Sequence, residues 1–259
     1  MIQFSRILVT CFLTVIITSA SAQKNKLSLG TQIPLNYAAA YEENVYGGFY
    51  VNYHFGYLTD PYTKVLFAEA ETRGLDAGLS NLLEEYFQRG ISHQGQIKYA
   101  PDFFKGFYLG GSFKRKNIRA IEIPYQVAAD HFGVDLTPFQ SNPFFLALIS
   151  DLDFNITMTI PGIFIGKSFQ LGESNWSLYS EISYHKIINS TSLVTFTGGV
   201  SEVPLLNDPV NKEVRSALDE NGNLFSLNIG VSYTLPFSIN RAVASLFKRK
   251  EREDKPQDN

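Results

Sequence analysis

The chain has little cysteine, little charge and no long apolar run after its N-terminal segment, and each shortage excludes a class of protein. Its one cysteine, Cys11, lies within the first 22 residues, so no disulfide can cross-link the remainder. Beyond residue 22 no run approaches 18 apolar residues, which excludes a conventional membrane-spanning helix. Charged residues make up 18% of the chain and the formal net charge is −3. This charge balance argues against a nucleic-acid partner.

Residues 1–22 are expected to be a cleaved secretory signal peptide. Arg6 supplies the positive start, Ile7–Thr18 the apolar run, and Ala20-Ser21-Ala22 a small-residue exit of the A-x-A type. The run is shorter than the roughly 20 residues that a membrane helix needs. The sequence therefore predicts export, with the folded unit starting at Gln23 and having a size compatible with a single all-β domain.

The clearest pattern is the alternation over Asn223–Phe237, where every second side chain from Phe225 to Phe237 is apolar. Small or polar side chains lie between them, with Leu224 as the exception. Since alternate side chains of a strand face opposite sides, this segment has one apolar and one polar face. It is longer than the five or six residues of an ordinary soluble strand. It suits a tilted strand that crosses a bilayer, which needs about 9–11 residues.

Seven further segments show similar patterns, which makes eight predicted strands. They are Leu27–Leu35, Val45–Tyr57, Tyr62–Thr72, Ile91–Tyr99, Gly106–Lys116, Asp153–Phe169 and Trp176–Asn189. Short connections at 59–61, 100–105 and 171–175 alternate with long ones at 36–44, 73–90, 117–152 and 190–222. The pattern predicts an all-β, eight-stranded antiparallel up-and-down barrel with short turns at one rim, as in bacterial outer-membrane barrels. An even strand count places both termini at the short-turn, periplasmic rim.

A soluble eight-stranded barrel of the lipocalin kind, carrying a small apolar molecule, would show the same alternation with the apolar face inside. Strand length favours the membrane barrel. So do aromatic residues near the predicted short-turn ends, because aromatic belts mark membrane interfaces. These residues are Tyr57, Tyr99, Trp176, Tyr233 and Phe237.

The segment Asn228-Ile229-Gly230-Val231-Ser232-Tyr233-Thr234-Leu235 resembles the polar-x-Gly-x-x-aromatic-x-hydrophobic signal on the last strand of Gram-negative outer-membrane proteins. The resemblance implies recognition by the barrel assembly machinery through an assembly signal that consists of Asn228, Gly230, Tyr233, Leu235 and Phe237. Many such chains end at a terminal Phe, whereas here residues 238–259 follow it. The eight-strand layout of residues 23–237 resembles small barrels of the OmpA/OmpX type. It implies a location in the cell outer membrane, with outer-membrane lipid around the barrel.

Residues 238–259 are expected to form a periplasmic tail. Ile239, Val243, Leu246 and Phe247 recur at helix-like spacing. The segment is therefore read either as a short amphipathic helix on the inner leaflet or as a frayed tail.

Polar residues on the predicted inward faces indicate a closed core, since an eight-stranded barrel is just wide enough for its side chains to fill. Buried charges there must be paired, and we expect glutamates to pair with Lys98 and Lys114. The predicted lumenal network consists of Asn52, His54, Glu69, Glu71, Gln94, Gln96, Lys98, Lys114, Glu181, Ser183, His185 and Asn228.

No pattern predicts a cofactor or a metal, because the four histidines form neither H-x-x-x-H nor H-E-x-x-H. Glu181, Ser183 and His185 share a strand face, which brings the Ser183 hydroxyl and the His185 imidazole within side-chain reach of a relay. They resemble outer-membrane lipid A deacylases in residue types, but the active site of those enzymes faces the lipid and has a His-x-Ser order that is absent here. No catalytic residue is therefore predicted, and the chain is expected not to be an enzyme.

The long loops are the predicted functional surface. Residues 117–152 include the apolar segments Ile123-Pro124-Tyr125 and Pro143–Ile149, which indicate self-packing, a strand extended beyond the membrane, or contact with a protein partner. The leading expectation is a barrel that is structural or binds a partner through these loops. A narrow channel for small or apolar solutes, a lipid A-modifying enzyme and a soluble lipocalin-like carrier remain alternatives.

Overall fold

The computed structural model describes residues 25–133, 151–197, 204–218 and 222–235. Within these ranges, nine strands form one antiparallel sheet. The strands are β1 (Lys26–Ile33), β2 (Asn36–Tyr46), β3 (Phe49–Leu58), β4 (Phe87–Tyr99), β5 (Phe107–Pro124), β6 (Asp151–Gln170), β7 (Trp176–Lys186), β8 (Asn189–Phe196) and β9 (Asn223–Thr234). The helices are α1 (Tyr62–Thr72), α2 (Ala77–Glu85), α3 (Tyr125–Phe132) and α4 (Pro204–Leu218). None of these helices is long and apolar enough to cross a membrane.

Eight of the strands close into a barrel. β1 to β6 pair in chain order, β6 pairs with β7, and β7 pairs with β9. The closing pair of β9 and β1 runs from Lys26↔Thr234 to Ile33↔Leu227. The prediction of an all-β, closed, eight-stranded antiparallel barrel is therefore confirmed.

The ninth strand, β8, lengthens one wall of the barrel. β7 pairs with the second half of β6 and β8 with its first half, so the two act as one long partner interrupted at Ile187 and Ile188. β5 follows β6 along the same length, up to Pro124↔Asp151. Since β9 begins only opposite Lys186, the wall of β5, β6 and β8 extends past the barrel. The apolar segment at 123–125 thus ends an extended strand and begins α3, whereas Pro143–Ile149 lies outside the described residues.

Two assignments in the first third of the sequence are wrong. Residues 62–72, predicted as a strand, form helix α1, whose buried residues Thr63, Phe67 and Ala70 recur at helical rather than strand spacing. Residues 36–44, predicted as a long loop, belong to β2. Alanine and glutamate have low strand propensity, but pairing with β1 on one side and β3 on the other overrides it. The two errors cancel in the count, so the predicted number of eight barrel strands is right.

The predicted strand 45–57 contains a turn. Gly47 and Gly48 both have positive φ, 51° and 86°, which suits a two-residue hairpin and which glycine adopts without steric cost. This turn lies at the rim that also holds both ends of the described barrel and the connections at 100–106 and 171–175. The opposite rim has the turn Pro34-Leu35 and the three long connections.

The helices of the long connections form a cap over this opposite rim. Their inward side chains pack against the extended wall into one buried apolar core. Its members include Phe67 and Ala70 of α1, Leu79, Leu82 and Leu83 of α2, Ala128 of α3, Val210, Val214 and Ala217 of α4, and Ile118, Ile123, Leu152, Phe154, Ile156, Met158 and Val194 of the wall. The described helices of the long connections therefore pack on one another and cover the barrel end.

Candidate functional site

The burial of the barrel side chains is inverted relative to a soluble barrel. On β9, Phe225 is 71% exposed and Ile229 is 46% exposed, whereas Asn228 is 7% exposed. Leu29 of β1 and Ile182 of β7 are likewise exposed. Apolar side chains thus cover the outside of the barrel and polar ones line the lumen. A lipocalin-like carrier needs the opposite arrangement, so that alternative does not fit this chain.

Aromatic pairs lie toward both ends of the apolar exterior. At the rim of short turns, the ring centroids of Trp176 and Tyr233 lie 4.9 Å apart, and Tyr99 packs on a phenylalanine of β3. Toward the capped rim, the rings of Tyr184 and Phe225 lie 5.1 Å apart. Tyr57 also lies toward the capped rim, because β3 runs in the direction opposite to that predicted. Phe237 lies outside the described residues.

The lumenal layer nearest the short-turn rim is an ion pair. Lys98 donates to Glu42, and both side chains are buried. Lys26 Nζ lies 3.6 Å from Glu42 Oε1. The rings of Tyr50 and Tyr108 flank the Lys98 ammonium, with centroids 4.9 and 4.7 Å from Nζ. Sequence reasoning misses Glu42 because it assigns residues 36–44 to a loop.

A middle layer consists of amide, hydroxyl and carboxylate groups. Glu181 Oε1 accepts hydrogen bonds from Ser183 Oγ at 3.0 Å and from Asn228 Nδ2 at 2.6 Å. His54 Nε2 lies 2.9 Å from Gln96 Oε1, and the side-chain amides of Gln96 and Asn52 are 3.2 Å apart. Most of these hydrogen bonds thus join side chains of neighbouring strands inside the barrel.

Two buried lysines form the layer beneath the cap. Lys114 donates to Gln32 Oε1, and Gln32 Nε2 donates to Ser226 Oγ at 3.2 Å. Lys116, two residues along β5, donates to the carbonyl oxygen of Leu35 at 3.1 Å. Gln32 and Lys116 are absent from the predicted network, although the alternation of Lys114 and Lys116 along one strand is a signal that could have found the second lysine.

Most of the predicted network does meet inside the barrel, and two members do not. Glu69 and Glu71 lie on α1, where Glu69 forms an ion pair with Arg73. Their predicted lumenal position depends on a strand over residues 62–72, and the helix removes it. The predicted members that do line the interior are Asn52, His54, Gln94, Gln96, Lys98, Lys114, Glu181, Ser183, His185 and Asn228.

Glu181, Ser183 and His185 do not form a catalytic relay. The Ser183 hydroxyl donates to Glu181, whereas His185 Nε2 lies 3.3 Å from the Gln32 amide nitrogen. All three side chains are buried in the lumen, away from the outward surface where an acyl chain would lie.

Among the residues that the structure describes, free space lies at several levels of the barrel. A vestibule of about 550 Å³ at the short-turn rim is lined by Lys26, Lys98 and Lys105 among others. Beyond it, a polar space of about 40 Å³ lies around Glu42 and Glu181, enough for very few waters. A second space of about 40 Å³, beneath the cap, is lined almost entirely by apolar side chains.

One polar cluster fastens three parts of the cap together. Asp76 Oδ1 accepts from the backbone N–H groups of Gly78 and Leu79 at 2.7 and 3.1 Å and begins α2. Glu213 Oε1 of α4 accepts from the Asp76 N–H at 3.0 Å, and His131 Nε2 of α3 lies 3.4 Å from Asp76 Oδ1. Burial, together with the Asp76 charge, raises the pKa of Glu213. The start of α2 accounts for the presence of two carboxylates, Asp76 and Glu213, because the free backbone N–H groups at a helix N-terminus favour negative charge.

The chain shows distant structural similarity to several solved structures, all at low sequence identity. A major outer membrane protein from Thermus thermophilus matches with a TM-score of 0.44 and 13% identity, over 83% of this chain and 100% of that one. Acinetobacter baumannii CarO matches with a TM-score of 0.36 and 13% identity, over 82% and 97%. Acinetobacter baumannii CarO2 matches with a TM-score of 0.33 and 8% identity, over 82% and 98%. No protein-family profile and no curated protein sequence matches the chain.

Replacing Glu42 by alanine should destabilise the barrel strongly. The substitution leaves the Lys98 ammonium buried without its carboxylate, and breaking a buried ion pair in this way costs about 3–5 kcal/mol. Urea titration, followed by gel mobility of the folded and unfolded forms, measures the loss. Glu173→Ala, in the exposed turn at 171–175, is the matched control and should change the midpoint little. Equal midpoints for the two variants would show that the ion pair does not hold the lumen together.

Proposed function

We propose that this chain is an outer-membrane β-barrel protein with a closed polar core, which serves a structural or partner-binding role through its outer cap. The observation that carries the proposal is the inverted burial, with apolar side chains outside a barrel whose lumen is polar. In water, an apolar surface around a whole barrel would be costly. In a bilayer it is the surface that the lipid chains require.

The difference between the two rims supports an orientation of the barrel across the outer membrane. Outer-membrane barrels have short periplasmic turns and longer extracellular loops. In the proposed orientation, the turns at Gly47-Gly48, 100–106 and 171–175 therefore face the periplasm. The cap then faces the exterior. The assembly signal adds support, because β9 is the strand that closes the barrel. A Cβ on its Gly230 would clash with the carbonyl oxygen of Leu29 on β1, so the closing contact itself requires glycine there.

The layers of the lumen favour a structural or binding role over conduction. Passage would require breaking the ion pair of Lys98 and Glu42, moving Lys114 and Lys116, and then opening an apolar core. The cap, by contrast, offers helices held on a rigid wall, with Val65 of α1 and Val127 of α3 exposed. Such loops on a rigid scaffold are where binding residues concentrate.

Cell fractionation tests the location. We expect the mature protein in the outer-membrane fraction, resistant to extraction by salt and alkali because its exterior is solvated by lipid chains. Its gel mobility should shift on heating as the barrel unfolds. Recovery of the folded protein in the soluble periplasmic fraction would refute the proposal.

Planar-bilayer recordings test the closed core. We expect the reconstituted protein to show negligible conductance, since its polar layers and cap block the lumen. Heat-unfolded protein, added in the same detergent, is the control for membrane damage. Stable, reproducible open steps of porin size would instead favour the narrow-channel alternative.

A further inference from the structure

The outward faces of β4 and β5 hold a basic patch, defined here as Arg89, Arg115 and Arg119. Arg89 of β4 is paired in register with Arg119 of β5, and Arg115 lies four residues before Arg119 on the same face. The strand period separates these residues from the buried Lys114 and Lys116, which point into the lumen. Arg89 and Arg115 are exposed.

The fold does not account for this concentration of charge. Like charges at directly opposite positions of an antiparallel pair are destabilising. Arg119 Nη2 is neutralised by Asp153 Oδ2 at 2.6 Å. Arg89 and Arg115, in contrast, have no hydrogen-bond or ion-pair partner within residues 25–133, 151–197, 204–218 and 222–235. The patch therefore holds two guanidinium groups with no anion shown to balance them.

The position of the patch indicates which kind of anion could balance these guanidinium groups. This inference rests on the proposed outer-membrane location. Phe107 to Arg115 spans eight residues of β5, about 27 Å along the strand. At a tilt of about 40° this is roughly 20 Å along the barrel axis, close to the ~25 Å height of an apolar band. Phe113, two residues before Arg115 on the same outward face of β5, is exposed. The patch thus begins where lipid chains end and head groups start, on the cap side.

The surrounding groups suit a phosphate. Guanidinium groups bind phosphate oxygens in bidentate fashion. We propose that the basic patch binds the phosphate groups of a phosphorylated glycolipid of the outer leaflet, whose acyl chains lie on the apolar surface around Phe113 and Ile163.

Binding to detergent-solubilised protein tests the proposal with three probes: diphosphorylated lipid A, the same lipid after dephosphorylation, and inorganic phosphate. Native mass spectrometry counts the bound molecules. Wild type is compared with an Arg89→Gln/Arg115→Gln variant. The control, Lys64→Gln/Lys186→Gln, removes two exposed cations, one on α1 and one at the end of β7. Heat-modifiable mobility verifies that every variant is folded.

We expect wild type and control to bind diphosphorylated lipid A alike and the arginine variant to bind it about 30-fold more weakly. Dephosphorylated lipid should bind all three proteins weakly. Equal affinity of wild type and arginine variant, equal weakening in the control, or binding of inorganic phosphate as tight as that of the lipid would each overturn the proposal. Failure of the outer-membrane location would appear separately, in the fractionation, because the micelle assay does not depend on it.

Discussion

The pairing of β9 with β1 is the interaction on which the rest of the structure depends. It removes the last two free strand edges of the barrel, and a lipid environment tolerates strands only when their backbone groups are satisfied in this way. Closure also fixes the register, from Lys26↔Thr234 to Ile33↔Leu227. Because a slip of one residue would exchange the faces of a strand, this register keeps Leu29 outside and Ser28 inside.

Once the barrel is closed, its interior has to satisfy the polar side chains that alternation directs inward. The chain pairs many of them in layers, with an ion pair at Lys98, a carboxylate with amide and hydroxyl donors at Glu181, and a lysine bonded to an amide at Lys114. Above these layers the interior changes from polar to apolar, because the helices of the cap pack on the extended wall of β5, β6 and β8. The lumen is thus closed by hydrogen bonding at one level and by hydrophobic burial at the next.

Much of this fold could be predicted from the sequence, because strict alternation in β7 and β9 reports directly on a two-faced wall. The lumenal positions of Lys98, Lys114 and Glu181 follow from the same period. The prediction fails where local pattern and tertiary context disagree. In α1, a chance alternation of apolar and polar residues hides the helical spacing of the buried ones, and Glu69 and Glu71 are therefore predicted in the lumen. In β2, poor strand formers are held by pairing on both sides, which hides Glu42. The cap core could not be foreseen, because it joins segments that lie far apart in the chain.

The central claim is that the apolar face of the barrel contacts lipid. The most direct test is to determine which alternate positions along β9 face the lipid. Residues beyond 22 contain no cysteine, so single-cysteine variants at successive positions from 225 to 232 can each take one nitroxide spin label. In reconstituted bilayers, we predict high oxygen accessibility for labels at Phe225, Leu227, Ile229 and Val231. We predict low accessibility to both oxygen and a water-soluble relaxant at the alternating inward positions. The opposite phase, or exposure to the water-soluble relaxant throughout, would contradict a barrel with its apolar face toward lipid.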